Sequence, residues 1–257
     1  MTKKTDGPKT LLIDIETAPA QALIWDMKTR YVPYDQIVED GYILCFAAGW
    51  LGEPTVEFAS RWDQGYEWMV QRAWELLDEA DVVIHYNGNN FDIPRLNSEF
   101  LVNRMGPPSP AHHVDLYRTV AGKFRVISRS MRHMLHLLGL ESKLKHKGIE
   151  LWVGCMTDVA GDQKVMQQYN VQDVIVLEDL YHELLPWIDN HPNVALWMKE
   201  GPNMKCPNCG SEDLENKGYK HTRVLSYKQF RCHGCGFYPR VRFAKETGKS
   251  RRGDILT

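Results

Sequence analysis

Two short cysteine pairs constrain this chain more than any other feature. CPNCG at 206–210 and CHGCG at 232–236 leave 22 residues between Cys209 and Cys232. Each CxxCG is a tight turn that aims two thiolates at one point, and its glycine lets backbone N–H groups approach the sulfurs. Four thiolates with closed tetrahedral geometry indicate one structural Zn²⁺ on Cys206, Cys209, Cys232 and Cys235. A module of about 40 residues is too small to fold on its apolar core alone, so the metal supplies most of its stability. The two remaining cysteines, Cys45 and Cys155, stand apart in apolar or mixed surroundings and are expected to be small buried hydrophobes.

The rest of the chain has room for one larger core. LLIDIET (11–17) is an apolar strand ending in carboxylates. YILCFAAGW (42–50) and TVEFASRW (55–62) are expected to form two strands joined by a Gly-Glu-Pro turn. Met69, Ala73, Leu76, Leu77 and Ala80 recur at helical spacing. DVVIHYN (81–87) reads as a short buried strand, with helical periodicity after Asn90 and a further strand expected at 113–120. Two helical stretches follow, around 131–138 and 162–185. A meander of strands followed by alternating strands and helices predicts a mixed α/β sheet flanked by helices. Residues 191–203, with His-Pro and Gly-Pro breaks, are expected to be a linker, and 244–257 a mobile basic tail.

Charge is unevenly divided. Residues 1–198 hold 18 Lys and Arg against 27 Asp and Glu, whereas residues 199–257 hold 13 against 6. An acidic part that could hold metal is joined to a basic part that could meet phosphates. The opening MTKKTDGPKT lacks the apolar segment of a signal peptide, and no apolar run approaches the ~20 residues of a membrane span. A cytoplasmic protein with no membrane partner is the expectation.

Three acidic elements stand out. Asp14 and Glu16, two apart on a strand, point to one face. In YNGNNFDIP (86–94) a strand ends at Asn87-Gly88 and Asp92 opens a helix, where an acid also suits the helix dipole. In YNVQD (169–173), Tyr169 and Asp173 share a helix face. Each alone has an ordinary explanation: a solvated strand end, a helix N-terminus, an amphipathic edge. If the four carboxylates met at one point, they would repel one another unless divalent cations lay between them, and Mg²⁺ or Mn²⁺ prefers such hard oxygens. Phosphodiester hydrolysis uses two such ions about 3.5–4 Å apart, one side activating water and the other relieving charge on the leaving oxygen.

In order and residue type the three elements resemble the exonuclease motifs of the DEDD family, in its DEDDy branch. The nearest likeness is to proofreading exonuclease domains of family B DNA polymerases: Asp14-Ile15-Glu16-Thr17, Asn87-Gly88-Asn89-Asn90-Phe91-Asp92, and Tyr169 to Asp173. The resemblance covers roughly residues 10–188 and implies an RNase H-like domain over 8–190. It further implies a 3′→5′ exonuclease with two Mg²⁺ or Mn²⁺ held by Asp14, Glu16, Asp92 and Asp173. In this scheme Asp14 bridges both ions, Glu16 and Asp173 complete the site of the attacking water, and Asp92 supports the second ion. Tyr169 orients the water, and Thr17 and Asn87 contact the terminal nucleotide. Phe91 either stacks near a base or belongs to the core. The KLKHKG run (143–148) either grips the substrate backbone or is a solvated loop. His85 reads as a hydrogen-bonded strand residue and Asp115 as structural.

The C-terminal module, 204–243, is similar to zinc ribbons of transposases and other DNA-acting proteins. Tyr219, Tyr227 and Phe230 interleave with Lys220, Arg223, Lys228 and Arg231, a pattern suited to a single strand. A structural ribbon, or one that docks replication or repair proteins, is the alternative. The motif likeness favours DNA as substrate. The same chemistry on RNA, or an inactive nucleic-acid-binding adaptor, are the competing expectations.

Overall fold

In a computed structural model of the chain, residues 7–140, 147–223 and 225–242 are described. The chain divides into two compact units, Lys9–Tyr181 and Met1–Pro8 with His182–Thr257.

The larger unit is built on β1 (Thr10–Thr17), a two-stranded arm of β2 (Gln21–Ala22) and β3 (Ile37–Glu39), then β4 (Ile43–Trp50), β5 (Val56–Ser60), α1 (Tyr66–Glu79), β6 (Val82–His85), α2 (Asp92–Val102) and β7 (His112–Asp115). It continues through α3 (Leu116–Lys123), α4 (Met131–Leu138), α5 (Ile149–Met156) and α6 (Ala160–Leu184). The main sheet has the order β5-β4-β1-β6-β7. β1 runs antiparallel to β4 and parallel to β6, so the sheet is mixed, as its elements predict.

Alternation along β1 decides where the acids go. Leu11, Ile13 and Ile15 pack with Met69, Ala73, Leu76 and Leu77 of α1 and with Leu96 and Phe100 of α2. Asp14 and Glu16 therefore face the opposite side. There Leu44 and Cys45 pack with Leu151 and Cys155 of α5 and with Met166 and Tyr169 of α6. Cys45 and Cys155 are buried, as expected for small hydrophobes. Among the described residues, no helix is long and apolar enough to cross a membrane.

Two expectations need correction. The strand expected at 113–120 ends at Asp115, because β6 offers only four residues to pair with. Asp115 then caps α3 by accepting a hydrogen bond from the Tyr117 N–H at 3.1 Å, which turns the chain into a helix. The helix α5 is absent from the sequence-based assignment, since IELWVGCM offers no alternation between apolar and polar faces. Of the basic run 143–148, residues 143–146 lie outside the described residues. Lys147 pairs with Asp162 at 2.9 Å, a partner within the protein. The tail 244–257 also lies outside them.

In the smaller unit, β8 (Leu214–His221) and β9 (Ser226–Cys232) form an antiparallel pair. Within the segment expected as a linker, the Asn193 side chain accepts from the Ala195 N–H, and the Val194 N–H donates to the Pro207 carbonyl at 2.7 Å.

Candidate active site

The larger unit brings three carboxylates together from opposite ends of its sequence. Oxygens of Asp14, Glu16 and Asp173 lie within 4.8 Å of one another. Asp14 and Glu16 come from the face of β1, the central strand, that lies toward α5 and α6, and Asp173 from the buried face of α6, where it is 1% exposed. Like charges this close are unfavourable without a cation. The hard oxygens suit a hard divalent cation rather than a thiophilic ion.

Asp92 is placed differently. It opens α2, is buried, and its Oδ1 accepts from the Ile15 N–H at 3.2 Å. The parallel pairing of β1 with β6 reaches only Leu12 and Ile84, so beyond it this carboxylate supplies the partner that a strand would have given. Burial pushes the Asp92 carboxyl up to about 6, against the pull of that N–H. It thus joins the site through the backbone residue between Asp14 and Glu16, and is not one of the three converging carboxylates.

Tyr169 stands one helical turn before Asp173 and hydrogen bonds to it. Burial, then the charges of Asp173, Glu16 and Asp14, hold its phenol well above the usual value. It remains a protonated donor at any ordinary pH.

Two further residues were not singled out from the sequence. The fully buried Asn170 donates through Nδ2 to Asp14 Oδ2 at 2.8 Å; a carboxylate only accepts, which fixes the amide's orientation. Trp152 of α5 donates through Nε1 to Glu16 Oε2 at 3.1 Å, and its ring meets Tyr169 edge-on. Asn170 sits inside the Tyr-x-x-x-Asp motif, so the helical spacing could have flagged it. Trp152 carried no such signal.

The turn bearing Asn87 is held from beneath. Asn87 has φ of +65°, a left-handed conformation that Asn adopts more readily than most non-glycine residues. Its N–H donates to Asp115 Oδ1 at 2.9 Å, and the next N–H, of Gly88, donates to His85 Nδ1 at 3.1 Å. A Cβ at Gly88 would lie 2.5 Å from the His85 ring, which is why the motif needs glycine there. Because Nδ1 accepts, the His85 proton sits on Nε2, 3.3 Å from His113 Nδ1. Burial accordingly lowers the His85 pKa to about 4. His85 and Asp115 are supports, as the sequence suggests.

Beside Asp14 opens a cavity of about 460 Å³ lined by Tyr86, Asn87, Tyr117, Arg129, Ser130 and Met131. Phe91 is 42% exposed at the start of α2, so the core alternative does not hold. Thr17 ends β1 beyond Glu16, at an irregularity in its pairing with β4.

In the smaller unit, the sulfurs of Cys206, Cys209, Cys232 and Cys235 also lie within 4.8 Å of one another. The two turns repeat one another. The Gly210 N–H donates to the Cys206 carbonyl and the Gly236 N–H to the Cys232 carbonyl, both at 2.9 Å. Both glycines have φ near +75°, where a side chain would be strained. The N–H groups of Asn208 and Cys209 hydrogen bond to the Cys206 sulfur. Four soft donors at this spacing fit a small zinc-ribbon domain.

Comparison with known proteins agrees with this architecture. Residues 38–185 match the family model of the RNase H superfamily. That span includes Asp92, Tyr169 and Asp173 and begins after β1. No curated protein matches the chain at a significant level. Among solved structures it is similar to the family B DNA polymerase from the hyperthermophilic archaeon Pyrobaculum calidifontis. The TM-score is 0.52 and the identity 18%, over 70% of this chain and 25% of that one. The chain thus spans a quarter of the polymerase's length, and the likeness is one of fold.

Proposed function

Because the chain belongs to the RNase H superfamily, we propose that it is a metal-dependent nuclease that removes nucleotides from 3′ ends of DNA, single-stranded DNA first. The observation that carries this is the convergence of Asp14, Glu16 and Asp173 from β1 and α6, separated by some 160 residues of chain, onto one point.

Asp14, Glu16 and Asp173, with Asp92 behind them, would hold two Mg²⁺ or Mn²⁺. Bound there, the ions supply an activated water and charge relief on the leaving 3′ oxygen. The protein's own residues do the placing. Asn170 and Trp152 fix the Asp14 and Glu16 carboxylates through hydrogen bonds from outside the cluster. Tyr169, kept protonated by burial and its acidic neighbours, presents a hydroxyl beside Asp173 that can orient the incoming water. Asn87 holds the terminal nucleotide in the cavity beside Asp14, with the Tyr86 and Tyr117 rings as walls and the Arg129 guanidinium for a phosphate; Thr17, at the end of β1, is a second contact to that nucleotide. Phe91, exposed at the start of α2, stacks on a base. Water adds to phosphorus as the P–O3′ bond breaks; the leaving O3′ takes a proton to become the 3′-hydroxyl of a strand one nucleotide shorter, and the terminal nucleotide departs as its 5′-monophosphate.

The nuclease domain is assigned to 8–190, joined by 191–203 to a zinc ribbon at 204–243 that holds one structural Zn²⁺. Purified protein with Mg²⁺ or Mn²⁺ should be given 5′-labelled single-stranded DNA, single-stranded RNA and duplex DNA. A ladder of shortening 5′-labelled products, fastest on single-stranded DNA, supports the proposal. Faster loss of RNA would make it an exoribonuclease, and no degradation of any substrate would leave a binding adaptor.

A further inference from the structure

The smaller unit has a feature that neither its metal cluster nor the carboxylate site uses. In an antiparallel pair, residues directly opposite share a face and faces alternate along each strand. Lys220 lies opposite Tyr227, so Lys220, Tyr227, Gln229 and Arg231 occupy one face of the β8–β9 pair. Cys232 and the buried Phe230 occupy the other. Gln229 also bridges Arg240 in a short antiparallel contact. That contact brings the Arg240 guanidinium 3.9 Å over the centre of the Tyr227 ring.

The result is a groove of about 480 Å³ whose lining includes Lys220, Gln229, Phe237, Tyr238 and Arg240, with Asp189 as its acid. Lys220 and Arg240 are both exposed. Among the described residues, neither forms an ion pair with a carboxylate. Tyr238 is 49% exposed. The groove is therefore a cationic floor with an open aromatic ring, on the part of the chain that carries the positive excess.

We propose that this groove is a second nucleic-acid site, which takes a single strand with phosphates on Lys220 and Arg240 and a base on Tyr238. Stacking on Tyr227 holds the guanidinium in place, so little side-chain freedom is lost when it meets a phosphate. An acidic peptide would engage the two cations and leave the Tyr238 ring and the Gln229 amide unused. A nucleotide uses all four, since every base has a face to stack and an edge to hydrogen bond. A duplex hides those faces, which is why the strand must be single.

The test is fluorescence anisotropy of the full chain with a 5′-labelled oligothymidylate of roughly 30 nucleotides, longer than typical single-strand sites. Without added Mg²⁺ or Mn²⁺ no hydrolysis intervenes, so its outcome is separate from that of the nuclease proposal. Lys220→Glu with Arg240→Glu should weaken binding at least tenfold. Loss of two phosphate contacts should also lower the salt slope by about 1.4. Tyr238→Ala should weaken binding about tenfold with the slope unchanged, as expected for lost stacking. Lys217→Glu, at the strand irregularity outside the groove, should change neither measure beyond its overall charge. One zinc per chain in every variant shows that the module is folded, and the single exposed-site change Lys220→Ala, with a smaller loss in the same direction, guards against a misfolded double variant. Oligouridylate in place of oligothymidylate distinguishes RNA from DNA as the source of the strand. Wild-type affinity and salt slope in both groove variants would overturn the proposal. So would preferential binding of duplex, or tighter binding of an acidic peptide than of the oligonucleotide.

Discussion

The two units meet the same physical problem, several negative ligands at one point, in opposite ways. In the larger unit the sheet and helices bury enough apolar surface to impose the geometry. Leu11, Ile13 and Ile15 on one face of β1 fix where Asp14 and Glu16 must project on the other. The repulsion among Asp14, Glu16 and Asp173 is a cost that this core absorbs. In the smaller unit the described residues of the β8–β9 pair bury only Phe230 and Cys232, and β8 is exposed along nearly its whole length. There the metal would be the source of the fold and not a load upon it. A cation should therefore be optional for one architecture and obligatory for the other.

The largest expected effect breaks that symmetry from the zinc side. Structural zinc contributes on the order of 10–16 kcal/mol in small modules, so Cys206→Ser should lose the metal and collapse the smaller unit. Residues 9–181 should keep their cooperative thermal transition. Metal analysis with limited proteolysis checks this, and loss of the larger unit's transition would mean that the units are not independent. The complementary change is Asp14→Ala or Asp173→Ala. Hydrolysis should fall to background while the melting temperature of the metal-free protein holds or rises, because like-charge repulsion is relieved. Either variant with substantial activity in Mg²⁺ would remove these residues from the site.

Tyr169→Phe should be milder, since it removes a positioned hydroxyl and no metal ligand. A loss on the order of 10²–10⁴-fold in rate is expected, and full activity would make Tyr169 a packing residue. Smaller again is Asn170→Ala. Groups that orient a ligand from outside typically contribute 10–100-fold in metal affinity or activity, so the Mn²⁺ concentration for half-maximal rate should rise by about tenfold. A change in rate alone, with the Mn²⁺ dependence unaltered, would count against its positioning of Asp14.

What was legible in the sequence follows from which residues chemistry leaves no choice over. The acids and the four Cys are the residue types that the proposed ions would require, the Tyr the type that would orient a water, and their spacing survives in one dimension. Gly88 belonged to the motif, but its reason, the His85 ring beneath it, exists only once β6 and its turn are folded. Trp152 reaches Glu16 from a helix that its own composition concealed. Arg129 lines the cavity from a stretch with no periodicity to mark it. The α3 helix was missed because a cap at Asp115, rather than propensity, decides it. Contacts made across the fold leave no local trace, and these are the ones that had to be seen.

The central claim is that the larger unit holds its carboxylates together in order to bind divalent ions. It is tested most directly by the melting temperature of that unit with and without Mn²⁺, in wild type and Asp173→Asn. Without metal the variant should be the more stable. At roughly 100 times the dissociation constant, Mn²⁺ should add about 2.7 kcal/mol to the wild type and reverse the order. A wild-type transition that does not move with Mn²⁺, or a metal-free variant less stable than wild type, would contradict the account.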